Sequence, residues 1–213
     1  MSEWIYRVGL SLDEASEELL KKAGLKYELV EVESALRTHI PETLGKQYKF
    51  HTSMRSDAPN FFSCSSLISY LHMFAGVWLP SLSIDKYFYT KRIEKSDLRF
   101  GDLVFAFNPD DSGEEGHHRT TSVEYMPGEL HVDEPINHMG MYLGDGKILY
   151  ASGLWYKGQV IEEDLDSSPS FRNIRGYGRV MEDPNEKRFV IEIPSDRPDL
   201  RKREALIDYL RKN

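Results

Sequence analysis

The sequence predicts an α+β fold, with helical segments early in the chain followed by a run of antiparallel strands. Three observations carry this. Apolar residues recur at helical spacing through the first third of the chain, and short alternating runs dominate after residue 99. One pair of those runs is joined by the turn sequence Gly144-Asp145-Gly146. At 213 residues, with 40% hydrophobic and 29% charged content, the chain can bury one well-formed core with modest extensions.

Taken in order, Ser11 and Glu14 have the spacing of a capping box, which predicts a helix carrying Leu12, Ala15, Leu19 and Ala23 on one face and stopping at Gly24. Leu25, Tyr27 and Leu29 alternate with Lys26 and Glu28, the pattern of a short strand. A second helix is expected over 34–44, disturbed by Pro41, and Gly45 closes an N-terminal extension of residues 1–44. In the third helix Cys64, Leu67, Ile68, Leu71 and Phe74-Ala75 share a face, with Ser63 as N-cap and Gly76 as terminator. A polar-aromatic stretch follows Leu79-Pro80, and the turn Arg99-Phe100-Gly101-Asp102 launches a strand from Leu103 to Phe107.

The connection 106–136 exceeds the roughly 12–15 residues usual for a structureless loop. It carries eight acids against Arg119, nearly the whole net charge of −8, whereas Phe171 to Asn213 carries eleven bases against eight acids. An acidic insertion beside a mildly basic tail argues against a nucleic-acid partner. Strands are expected in the hairpin 138–152, around Tyr177–Met181 and over Phe189–Ile193, and an amphipathic helix with Leu200, Leu206, Ile207 and Leu210 ends the chain. Residues 45–182 thus form the central domain and 183–213 a C-terminal extension. No apolar segment of membrane-spanning length and no leader pattern is visible, so the expectation is cytoplasmic residence and no membrane partner, with export by another route left open.

A single cysteine, Cys64, excludes internal disulfides and multi-cysteine zinc sites. His117, His118 and His131 fit no regular ligand spacing and read as part of a solvated loop, so neither metal nor cofactor is expected. In the first turn of a helix, a thiol gains partial positive charge and N–H donors that favour its thiolate. His138, far downstream, opens a strand and supplies the base that such a nucleophile needs. If Gly144-Asp145-Gly146 is a three-residue loop, His138 lies opposite Ser152 and diagonal to Tyr150, which then shares its face. A two-residue loop turns Tyr150 to the other face.

Ser63-Cys64-Ser65-Ser66, Gly101-Asp102-Leu103-Val104-Phe105 and His138-Met139-Gly140-Met141-Tyr142-Leu143-Gly144-Asp145-Gly146 together resemble the NlpC family of papain-like cell-wall cysteine peptidases. The resemblance implies a half-barrel sheet with the nucleophile helix packed against it, and hydrolysis of amide bonds in peptidoglycan stem peptides or their fragments. It implies Cys64 as nucleophile, His138 as base and Tyr150 as the third catalytic position, with Tyr48, Ser63 and Ser65 beside the substrate. Where the family shows Asp before the nucleophile this chain has Ser63, Ser66 replaces a glycine, and Tyr150 replaces His, Asn or Gln. The alternative is a catalytically lapsed relative that only binds a ligand or partner.

Overall fold

The computed structural model describes residues 5–50, 52–107, 136–153 and 158–212. The acidic insertion, apart from its ends, lies outside the described residues, as do His117, His118 and His131. In chain order the elements are β1 (Tyr6–Ser11), α1 (Glu17–Lys22), β2 (Lys26–Glu31), α2 (Val32–Thr43), β3 (Gln47–Tyr48), β4 (Phe61–Phe62), α3 (Cys64–Phe74) and α4 (Ser83–Tyr89). After these come β5 (Lys91–Ile93), β6 (Leu103–Ala106), β7 (His138–Gly144), β8 (Lys147–Ala151), β9 (Val160–Asp164), β10 (Ile174–Arg179), β11 (Lys187–Ile193) and α5 (Arg203–Lys212). No helix among them is long and apolar enough to cross a membrane.

The chain divides into two compact units, one of residues 1–41, 70–78 and 183–213, the other of 42–69 and 79–182. In the first, β11 lies between β1 and β2 in an antiparallel sheet, with Leu10 opposite Phe189 and Tyr27 opposite Ile191. The two ends of the chain, which the sequence presents as separate extensions, therefore share one sheet. They also share one core, in which Leu10, Leu20, Ile191 and Leu206 are fully buried. The expected helix start at Ser11 is corrected here. Ser11 ends β1, and Glu14 reaches back to accept a hydrogen bond from the Ser11 N–H at 2.9 Å, closing a turn rather than a helix. The N-cap is Ser16, whose Oγ accepts from the Leu19 N–H at 3.3 Å. Pairing with β11 satisfies the backbone groups of residues 6–11 that face it and outweighs the local capping pattern.

The second unit is built on a six-stranded antiparallel sheet in the order β5-β10-β6-β7-β8-β9. All four residues of β6 are fully buried, so this strand is covered on both faces. On one face Val104, Ala106, Ile148 and Tyr150 pack with Leu165 and Phe171. Asp102 anchors the start of β6. Its carboxylate accepts from the Arg99 N–H at 2.8 Å and from two nitrogens of Arg179 at 3.0 and 2.8 Å, and Asp102 itself is only 2% exposed. The Gly-Asp turn thereby ties β6 to β10. The polar-aromatic stretch after Pro80 forms α4, an element not expected from the sequence, and Tyr87 from it lies edge-on against Phe105.

Register in the β7–β8 hairpin pairs Met141 with Leu149 and Tyr142 with Ile148, then shifts to pair Gly144 with Lys147. Gly144, Asp145 and Gly146 all adopt positive φ, a sequence of conformations that the two glycines make accessible. The Gly146 N–H donates to the Tyr142 hydroxyl at 2.9 Å and fixes the turn. Extending the main register sets Ser152 opposite His138 and keeps Tyr150 on the histidine's face, the arrangement of the three-residue alternative.

Candidate active site

The surroundings of Cys64 begin with three hydroxyl side chains. The Ser63 Oγ accepts from the Ser66 N–H at 3.2 Å, while the Ser63 N–H lies 2.9 Å from the Ser66 Oγ, a reciprocal cap made with serine in place of glutamate. Thr52 braces both, its Oγ1 3.0 Å from the Ser63 Oγ and 2.6 Å from the Ser66 Oγ. This cap starts α3 at Cys64 and places the thiol in the first turn. The sulfur is 3.7 Å from the Ser83 Oγ on α4 and 3.9 Å from the carbonyl oxygen of Asn137, the residue that leads into β7. Helix start and strand start therefore converge, although residues 64 and 137 are 73 positions apart in the chain.

His138 is 2% exposed, and burial lowers its pKa to about 4. The imidazole is therefore neutral across the physiological range, the form that accepts a proton. Two rings support it, Tyr150 in an edge contact at 5.2 Å between centroids and Phe171 at 5.1 Å. The Tyr150 phenol donates to the Glu163 carboxylate on β9, which also accepts from the Ser168 hydroxyl. Burial, with this bond to Glu163, pushes the phenol further above its ordinary value, so it stays neutral. Tyr150 thus meets His138 through its ring edge while its hydroxyl is engaged with Glu163.

The remaining site residues expected from the sequence fall into two groups. Tyr48 on β3 is held by its N–H bond to the Gly158 carbonyl at 2.6 Å, and its ring lies over Gly153, just beyond β8, so closely that a Cβ there would sit 2.7 Å from a ring carbon. Ser63 and Ser65 are engaged within the protein. Ser63 supplies the cap, and the Ser65 hydroxyl contacts the Ser81 carbonyl and accepts from the Lys86 ammonium at 2.8 Å.

Three side chains escaped sequence reasoning: Glu163, Ser83 and Lys86. Glu163 sits on a strand whose alternation, buried only at Val160, is too weak to announce it. Ser83 and Lys86 lie on α4, where the only available sign was their three-residue spacing around the apolar Ile84. No cluster of three or more His, Cys, Asp or Glu side chains that could hold a metal occurs among the described residues.

An antiparallel sheet whose strand β7 opens on histidine, met by a helix that carries cysteine in its first turn, is the layout that the resemblance to the NlpC family implies. Residues 45–125 match the NlpC/P60 family. "Probable endopeptidase p60" of Listeria monocytogenes is 30% identical over 139 residues, 64% of this chain and 22% of that protein. The Listeria innocua protein of the same name is 28% identical over 144 residues, 68% of this chain and 22% of its own. Among solved structures, a Staphylococcus aureus protein described as similar to lipoprotein, NLP/P60 family, aligns at TM-score 0.51 and 21% identity, covering 72% of this chain and 42% of its own. An NlpC/P60 family protein of Bacillus cereus aligns at TM-score 0.51 and 18% identity, covering 70% and 40%. The chain is thus similar to the NlpC/P60 family, with residues 45–125 matching that family directly. It spans about a fifth of the length of the curated relatives it matches.

Proposed function

We propose that this chain is a cysteine peptidase that cleaves an amide bond in peptidoglycan stem peptides or related peptides through a Cys64 thioester. The observation that carries this reading is the meeting of the Cys64 sulfur with the start of β7, 3.9 Å from the carbonyl of Asn137, the residue that precedes the buried, neutral His138. In the reaction the sulfur attacks the amide carbonyl carbon as the thiol proton passes to the His138 imidazole. The C–N bond then breaks and the leaving amine takes that proton, which leaves an acyl-thioester on Cys64. Water attacks the thioester, and its proton returns by way of His138 to the departing sulfur as the acid is released. The Cys64 N–H at the start of α3 stabilises the oxyanion. Tyr48 and the backbone around Ser63 and Ser65 border the substrate, and Tyr150 steadies the imidazole by packing.

The family resemblance supports peptidoglycan stem peptides as the substrate class, and the Listeria relatives, described as probable endopeptidases, support scission of a peptide bond. Incubating the chain with a panel of stem peptides and reading products by mass spectrometry tests the proposal. Cleavage by the wild type, lost in Cys64→Ser and His138→Ala, is the expected result. Binding of those peptides without cleavage supports the alternative of a binding module, a reading favoured by the neutral phenol at position 150.

A further inference from the structure

Lys86 has no part in the chemistry above, yet it is 0% exposed and among the largest fully buried side chains. On α4, Ser83 and Lys86 are three residues apart and meet the first turn of α3: Ser83 at the Cys64 sulfur, Lys86 at the Ser65 hydroxyl. The ammonium also donates to the carbonyls of Pro80 at 2.5 Å and Ser81 at 3.1 Å. All three acceptors are neutral. Burying an ammonium among neutral groups is costly, and a methionine of similar volume would fill the same space without that cost. The charges that interact with it are those of Cys64, from the facing helix, and of Asp85, its half-buried neighbour on α4.

We propose that Lys86 is a positioning residue of this site, an ammonium fixed beside the first turn of α3 that favours negative charge on the Cys64 sulfur as its proton passes to His138. The assignment rests on the reading of Cys64 as nucleophile. Burial pushes Lys86 down to about 7, with Cys64 and Asp85 acting in the opposite direction. An ammonium held there favours negative charge on the facing sulfur. His138, kept neutral by its own burial down to about pH 4, supplies no resting imidazolium for this purpose.

Because Cys64 is the sole cysteine, thiolate absorbance of the whole chain reports on it alone. The wild type is expected to form thiolate about one pH unit or more below the ordinary value near 8.5. Lys86→Gln should raise that midpoint by about one unit and slow iodoacetamide alkylation at pH 7 about tenfold, while His138→Asn leaves the midpoint within a few tenths of a unit. An unchanged midpoint in folded Lys86→Gln overturns the proposal, as does a shift of equal size in His138→Asn. Should Lys86→Gln fail to fold, the reciprocal measurement decides: NMR titration of Lys86 must show a lower midpoint in Cys64→Ser than in wild type, and an unmoved lysine overturns the assignment. Peptide cleavage is read separately. A low thiol midpoint without cleavage of any stem peptide sinks the peptidase reading and leaves the lysine role standing, whereas cleavage with an ordinary midpoint does the reverse.

Discussion

Acidification should destabilise this protein through His138 in a defined window. The imidazole is 2% exposed and, folded, takes a proton only near pH 4, whereas the unfolded chain takes it near 6.5. Between those values the unfolded state binds more protons, so stability present above 6.5 falls as pH drops through the window and levels off below about 4. At about 1.4 kcal/mol per unit, the gap between 6.5 and about 4 amounts to about 3 kcal/mol. Lys86 adds no slope here, because folded and unfolded chains both hold its proton below about 7. Asp85, raised by burial, slopes the other way near the acid end. The measurement is therefore differential: urea unfolding of wild type and His138→Asn at pH 7, 5.5 and 4.5. The wild type should lose about 2–3 kcal/mol more than the variant over that range. Parallel stability curves for the two proteins would refute the buried, neutral imidazole on which the base assignment depends.

Three further outcomes follow from the contacts. Tyr150→Phe removes the donor to Glu163 and keeps the ring against His138, so unfolding free energy should fall by about 1–2 kcal/mol while turnover changes little; Tyr150→Ala, which removes the ring, should abolish turnover as well. Asp102→Ala leaves Arg179 without the carboxylate that holds it between β6 and β10, at an expected cost of about 3–5 kcal/mol in chemical denaturation. Gly153→Ala drives a methyl group into the Tyr48 ring. Its signature in peptide kinetics should be a raised KM with a smaller change in kcat, if Tyr48 borders the substrate.

How much of this was legible in the sequence depended on how local the cause was. The cap at Ser63, the apolar face of α3 and the glycine-rich turn of the hairpin act over a few residues, and each was readable. The register that brings Tyr150 under His138 was narrowed to two alternatives, and backbone pairing selected one. Ser11 shows the opposite case: a well-formed capping pattern was overruled because its strand found β11, about 180 residues away.

By itself, the sequence determined where a thiol would meet a helix start, which histidine could serve it, and that strands would follow helices, since these depend on spacing and side-chain chemistry. Tertiary structure decided what surrounds those groups. That β11 joins the two ends of the chain, that the Tyr150 hydroxyl turns to Glu163, and that Lys86 is buried beside the first turn of α3 are consequences of chain segments meeting across long separations. Burial and electrostatic environment arise only from such meetings, so the protonation states that govern chemistry at Cys64 were settled in the folded protein.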